Sequence, residues 1–285
     1  MPGRIASFAS QDAPLVNPNK PLAGKRIIVT RAADQAHDLV SALQLKGANV
    51  TLLPLVAFVP PDDWRLLDKQ LQKLDSFDAI LFLSRNAVRY LFQRCREAGV
   101  KCEFSPSRRP FIATVGEGTR DAAIREALIV DYVSKAHTAE SLVRELRSSL
   151  AGRNVFLPRG DRGDRELPTA LREAGARVTE VVVYRTIPPP HIDPAVLNNL
   201  REGAADSVVF ASPSAFHSLC DLIPPAEIAE ISQFVEFAAI GPTTARAIRD
   251  LGVRVALEAA APSASAIADA LVEHFASPEV KARPS

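Results

Sequence analysis

The chain has 285 residues, of which 47% are hydrophobic, and its 34 basic and 33 acidic side chains leave a net charge of +1. That length suits two domains, each with its own buried core, and the balanced charge gives no bulk reason to bind nucleic acid or a membrane surface. Cys95, Cys102 and Cys220 are odd in number and lack CxxC spacing, which predicts free, reduced thiols in a cytoplasmic protein. No apolar run approaches the roughly 20 residues needed to span a bilayer. Residues 1–20 and 277–285 lack periodicity and are expected to be loose tails, the first without a signal-peptide pattern.

In chain order, residues 26–30 (RIIVT) read as a buried strand. Asp34 is placed to cap the next helix, whose Ala36, Leu39, Val40 and Leu43 share an apolar face, and Gly47 to end it. Residues 50–59 predict a long second strand, 79–84 a third and 111–115 a fourth. Helices are expected at about 86–98, after Gly118 and at 138–150. Strand 155–157, a helix near 164–174, strands at 178–187, 208–211 and 237–240, and a closing helix near 265–275 complete the pattern. This alternation predicts an α/β fold of doubly wound parallel sheets covered by helices on both faces.

Residues 152–189 repeat residues 24–61 without a gap. Gly24 matches Gly152, Arg31 matches Arg159, Gly47 matches Gly175, and the proline pair 60–61 matches 188–189. The same offset carries Asp78, Phe82 and Ser84 onto Asp206, Phe210 and Ser212. Three residues are then lost, and Gly116 and Thr119 fall on Gly241 and Thr244. Two similar domains with a ligand cleft between them are expected. The two long strands, equivalent in the repeat, suggest a two-stranded linker at 53–59 and 181–187. The domains would then be interleaved, one built from 21–55 and 188–276 and the other from 58–182.

In parallel α/β sheets, ligands bind beyond the carboxyl ends of the strands. The segments there are Thr30-Arg31, Ser84-Arg85-Asn86, Gly116 to Thr119, Pro158-Arg159-Gly160, Ser212-Pro213-Ser214 and Gly241-Pro242-Thr243-Thr244. Nearly all combine small or hydroxyl residues with an immediate helix start, whose free N–H groups receive anions. The same residues also serve as ordinary helix caps. No GxGxxG or GxxxxGK[ST] supports nucleotide binding, and the five histidines show no metal-ligand spacing. Tyr184 is the best candidate acid: its repeat partner is Val56, so its hydroxyl breaks the internal symmetry. An interfacial packing role is the plainer reading of the same residue.

The stretches DAILFLSRNAV, VGEGT, VVVYRT, VVFASPSAF and AAIGPTTARAI, in this order and spacing, resemble the uroporphyrinogen-III synthase family over about residues 22–275. The resemblance implies two α/β domains joined by a two-stranded linker. It implies a lyase that turns hydroxymethylbilane into uroporphyrinogen III with inversion of ring D, using neither metal nor organic cofactor. With no sign of an obligate interface in the sequence, a monomer is expected. Tyr184 matches the family's tyrosine thought to assist loss of the substrate hydroxyl. Thr119 and Thr244 match the threonines of two glycine-threonine turns. Thr30, Arg31, Ser84, Asn86, Gly116, Arg159, Ser212, Ser214, Gly241 and Thr243 fall in the segments expected to hold substrate carboxylates. Transient contact with hydroxymethylbilane synthase is a further expectation, and nucleic acid or membrane partners are not expected. Asn86 stands where some relatives have arginine, and Ala127 where the second copy has Gly252. A non-catalytic two-domain binding protein for small anions or tetrapyrroles is the alternative.

Overall fold

A computed structural model of the chain describes residues 20–102, 104, 109–136, 138–163 and 166–277. All but the inner ends of the expected tails, and the first residues of the helix expected near 164–174, lie outside the described residues. The chain forms two compact units. One takes in the chain up to Pro54 and again from Ile192, and the other is Leu55–His191.

The first unit opens with β1 (Arg26–Val29), α1 (His37–Leu45) and β2 (Asn49–Leu52). The second unit follows with β3 (Ala57–Val59), α2 (Arg65–Leu71), β4 (Ala79–Phe82), α3 (Arg85–Glu97), β5 (Phe111–Thr114) and α4 (Glu117–Arg125). It closes with β6 (Tyr132–Val133), α5 (Ala139–Leu150), β7 (Asn154–Gly160), α6 (Glu166–Glu173) and β8 (Arg177–Ile187). The chain then completes the first unit with α7 (Pro194–Arg201), β9 (Ser207–Phe210), α8 (Pro213–Cys220), α9 (Pro225–Ile231), β10 (Glu236–Ala239), α10 (Pro242–Arg249), β11 (Leu257–Glu258) and α11 (Ala264–Ala276).

The sheets have orders β2-β1-β9-β10-β11 and β8-β7-β4-β5-β6, with β3 added beside β8 in the second. Every neighbouring pair is parallel except β3 with β8. Equivalent strands of the sequence repeat occupy equivalent places in the two sheets. The repeated aspartates show why: Asp206 N–H donates to the Arg26 carbonyl at 2.8 Å, and its carboxylate accepts the Arg26 N–H at 2.7 Å. Asp78 does the same with Asn154, at 2.9 Å and 2.7 Å, so each aspartate pins the register where two strands begin.

Alternation along the strands builds the layers. On β4, Ile80 and Phe82 join Val88, Leu91 and Phe156 on one face of the sheet. Ala79 and Leu81 join Leu142, Leu146 and Leu171 on the other. Burying both faces is what makes these strands continuously apolar. In the first unit, Ile27 and Val29 pack with Leu39, Leu43, Ile267 and Leu271 of α1 and α11.

Several expectations need correction. The long strand at 50–59 is two strands, because Pro54 has no N–H to donate and the ladder stops after Leu53 bonds Val29. Asp34 lies in a short 3-10 turn at Ala33–Gln35, and α1 begins after Ala36 with no capping side chain. Pro158, Arg159 and Gly160 belong to β7 rather than to a loop. Helices α2, α7 and α9 and the short strands β6 and β11 were not anticipated. Gly47 does end its helix in the left-handed conformation, at φ 95°. Among the described residues the non-glycine residue with positive φ is Ala127, at φ 60°, where Gly252 of the other copy has φ 72°.

Cys95 and Cys102 are joined in a disulfide, so the expectation of three free thiols fails. The end of α3 and the turn at Gly99 bring the two Cα atoms to 6.5 Å, a separation that composition does not reveal. The support that reduced cysteines gave to a cytoplasmic location is withdrawn with it. Cys220 is free. Among the described residues no helix is long and apolar enough to cross a membrane.

Candidate active site

Strands β4, β5, β7 and β8 end at one edge of the second unit's sheet, and α3 and α4 start from that edge. Ser84 caps α3, its Oγ accepting the Ala87 N–H at 3.0 Å. Gly116 stands at the start of α4 in an extended conformation, with no side-chain cap, so the first amides of that helix keep their donor capacity. Thr119 is buried in the first turn of α4, and Asn86, also buried, sits in the first turn of α3. The first unit repeats the scheme. Ser212 caps α8 by accepting the Ala215 N–H at 3.2 Å. Gly241 precedes α10 without a capping side chain, with Thr243 exposed and Thr244 buried. Ser214 is half-buried beside the Ser212 cap.

Two of the expected side chains meet directly. The Tyr184 hydroxyl lies 3.1 Å from Ser84 Oγ. Tyr184 rises from β8 into an aromatic group, its ring stacked on Tyr90 at 5.7 Å and edge-on to Phe58 at 5.7 Å. Tyr90 in turn donates its hydroxyl to the Phe58 carbonyl at 2.7 Å, which ties β3 to α3. Burial pushes the Tyr184 phenol above its ordinary pKa. The Ser84 bond draws it back, the Asp161 charge adds to the rise, and the Arg159 charge opposes it. The phenol is therefore un-ionised at neutral pH, and it is a proton donor with one edge bonded.

Gly160 is the residue that makes room for this ring. It stands in register with Tyr184 across a bulge in the β7–β8 ladder. A Cβ at this position would lie 2.6 Å from the ring Cζ and 2.8 Å from the hydroxyl oxygen. Asp161 fixes the next turn, donating its N–H to the Tyr184 carbonyl at 3.1 Å and accepting the Thr186 N–H at 2.9 Å.

The expected arginines behave differently from open anion receptors. Arg159 is buried and multiply engaged: Nη1 donates to Glu180 at 3.0 Å, Nε to the Gly160 carbonyl at 3.3 Å, and Nη2 to the Gly163 carbonyl. It holds the turn after β7 in shape. Thr30, fully buried, donates its hydroxyl to the Val209 carbonyl at 2.9 Å and so closes the end of the β1–β9 pairing. Arg31 is buried beside it.

Arg85, between the expected site residues Ser84 and Asn86, brings a charge to this edge. Its side chain runs along Gly118 at the start of α4, 3.4 Å from where a Cβ would stand. Much of its surface is exposed, but loss of water around the guanidinium and the like charge of Arg125 lower its pKa from the usual value. It has no acidic partner among the described residues. No group of three His, Cys, Asp or Glu side chains able to hold a metal occurs among the described residues.

A family profile for "Uroporphyrinogen-III synthase HemD" matches residues 37–269. The uroporphyrinogen-III synthase of Synechococcus elongatus is 32% identical over 244 residues, covering 84% of this chain and 91% of that protein. The Chlorobaculum parvum enzyme of the same name is 27% identical, covering 81% and 91%. Among solved structures, a mutant uroporphyrinogen III synthase from Thermus thermophilus superposes with a TM-score of 0.64 at 20% identity. That comparison covers 88% of this chain and 99% of the other, and it speaks to the fold.

Proposed function

The chain belongs to the uroporphyrinogen-III synthase family, and on that premise we infer that it closes hydroxymethylbilane to uroporphyrinogen III, inverting the last pyrrole ring and releasing water. The observation that carries this reading to particular residues is the half-buried Tyr184 phenol bonded to the cap of α3.

The first step breaks the bond between the terminal methylene and its hydroxyl. Tyr184 gives its proton to the departing oxygen, so that water leaves and the pyrrole, still carrying its N–H, remains as an azafulvenium cation beside the phenolate. A raised pKa suits a group that must stay protonated at neutral pH until this moment. The substituted α-carbon of the terminal ring attacks this cation to give a spiro intermediate. The bond from that carbon to the methylene of the preceding ring then breaks to leave a second azafulvenium cation. The free α-carbon of the inverted ring attacks it and loses a proton that restores the phenol. The competing head-to-tail closure needs no catalyst, so the protein acts chiefly by holding the chain in the spiro-forming shape.

The substrate's acetates and propionates match the uncapped helix starts at Gly116 and Gly241, where backbone N–H groups point outward. Arg85 adds a full charge beside the first of these, which offsets the absence of arginine at position 86. Thr119 lies in the first of these, and Thr243 and Thr244 in the second, while Asn86 stands at the start of α3 and Ser212 and Ser214 at that of α8. Arg159, Arg31 and Thr30 shape the strand ends behind them. A monomer that takes hydroxymethylbilane directly from its synthase suits a substrate that cyclises unaided.

The test is a coupled assay in which hydroxymethylbilane is generated in situ and the oxidised products are separated into isomers I and III. Formation of isomer III in proportion to added protein supports the reading. Isomer I alone at every protein concentration would remove it and leave a binding protein in its place.

A further inference from the structure

We propose that Ser84 and Gly160 form a positioning pair for Tyr184: Ser84 holds the hydroxyl as a hydrogen-bond donor, and Gly160 provides the space in which the ring lies. This deepens the catalytic reading above and rests on it.

The internal repeat separates the two roles of Ser84. Ser84 and Ser212 are equivalent, and each caps its helix by accepting an N–H three residues on. Capping therefore explains a serine in both copies. All three tyrosines lie within Leu55–His191, so only Ser84 has a phenol to hold. Tyr184 and Gly160 are likewise peculiar to the second copy: the corresponding residues of the first are Val56 and Ala32. Where the tyrosine appears, the alanine has become glycine, and the structure gives the reason in the 2.6 Å approach.

Hydrogen-bond accounting sets the direction at Ser84. Its oxygen spends one lone pair on the Ala87 N–H, and this bond fixes where Oγ stands. If the Tyr184 proton is to reach the substrate, that proton cannot point at Ser84. The 3.1 Å contact is then filled by the serine proton, donated to the phenol oxygen. In that arrangement Ser84 stabilises the phenolate that forms as Tyr184 gives up its proton. Arg159 on β7 and Asp161 in the turn after it, with Tyr90 on α3, are the other titratable or charged groups around the ring, and the opposed charges of the first two leave Ser84 as the donor.

The variants are Ser84→Ala, Ser84→Thr and Gly160→Ala, each made with and without Tyr184→Phe. Two readouts are needed. The first is the Cζ resonance of Tyr184 in protein labelled at tyrosine Cζ, assigned by its disappearance in Tyr184→Phe. It should shift in Ser84→Ala, return towards its original position in Ser84→Thr, and shift in Gly160→Ala. An unmoved resonance in Ser84→Ala overturns the proposal whether or not the enzyme turns over. The second is kinetics. Ser84→Ala should lower kcat about tenfold, the equivalent of one hydrogen bond, with KM unchanged. In the Tyr184→Phe background it should cause no further loss of kcat. A raised KM with unchanged kcat would make Ser84 a substrate contact and overturn the proposal. Gly160→Ala meets only the outer end of the ring, so the chain should fold with the phenol swung away and kcat reduced to the level of Tyr184→Phe. Full kcat in that variant would also overturn it. A wild-type protein that makes no isomer III defeats the catalytic reading alone, since the resonance readout needs no turnover.

Discussion

Gly160 lies in register with Tyr184 on the neighbouring strand, and the ring of Tyr184 occupies the volume that any side chain at position 160 would need. This contact sets where the phenol points. It also sets the terms on which a mutation at Tyr184 should be judged, because removing only the hydroxyl leaves the ring, its stacking on Tyr90 and the strand register in place.

Tyr184→Phe should therefore lower kcat by about tenfold to a hundredfold without abolishing formation of isomer III, since orientation of the bilane supplies the rest. The pH profile carries a sign. Burial raises the phenol pKa, so the acid form persists through neutral pH, and Tyr184 should cause no alkaline fall in kcat below about pH 10. Steady-state rates in the coupled assay between pH 7 and 10 check both statements. An unchanged rate in Tyr184→Phe would take the residue out of the mechanism.

Arg85→Gln should raise KM for hydroxymethylbilane by about tenfold, the scale of one charge-assisted hydrogen bond, and leave kcat nearly as it was. The Ser84 cap is untouched by this change, so α3 should keep its stability. A fall in kcat at constant KM would show that the charge acts on the reaction rather than on binding.

Ala127→Gly should stabilise the protein by about 0.5–1 kcal/mol. The left-handed backbone at φ 60° costs an alanine roughly 1–2 kcal/mol, partly offset by the greater unfolded freedom of glycine. Urea unfolding monitored by circular dichroism would show it as a higher midpoint at unchanged slope. A lower midpoint would mean that the methyl group packs usefully.

Reduction of the Cys95–Cys102 disulfide, or Cys102→Ser, should cost about 2 kcal/mol, as expected for a short closed loop. Thermal unfolding with and without a thiol reductant gives the comparison. Because the bond lies at the far end of α3 from Ser84, the reduced protein should keep its kcat at temperatures well below its Tm.

Asp131 accepts both outer nitrogens of Arg109, at 2.5 and 2.7 Å, and the Ile112 N–H at 2.8 Å. The bond from Arg109 is the chief reason its carboxyl pKa is lowered. A folded pKa below the unfolded value near 3.9 gives stability that is present above that value and lost as pH falls through the folded one. Asp131→Asn should therefore cost about 1 kcal/mol at pH 7 and little near pH 2. Tm measured at both pH values decides it, and an equal loss at both would mean that the carboxylate charge is not the source.

Much of this was readable in the residues, and the failures are instructive. The repeat revealed the duplicated sheets because strand ends demand particular residues, as Asp78 and Asp206 show. The break after β2 was also present in the sequence, in Pro54, but β-branched neighbours on both sides disguised it. Thr30, Ser84 and Arg159 stand out in the sequence for their polarity at strand ends. Whether such a group faces a ligand or completes a cap depends on partners distant in the chain. Thr30 bonds Val209 and Arg159 bonds Glu180, neither of which is adjacent in sequence. The disulfide escaped notice for the same reason, since a helix end and a turn had to be in place before two sulfurs could meet.

The two units do not coincide with the two sequence copies. The first unit combines the opening of copy one with the close of copy two, and the second unit takes the remainder. A gene cut between the copies, near residue 151, would yield two fragments that each hold part of both sheets and complete neither. The second unit, by contrast, is continuous from Leu55 to His191, a single insert in the chain of the first. Inheritance thus runs by tandem halves, while folding runs by nesting, and a recombination that respected the repeat would destroy the architecture that the repeat built.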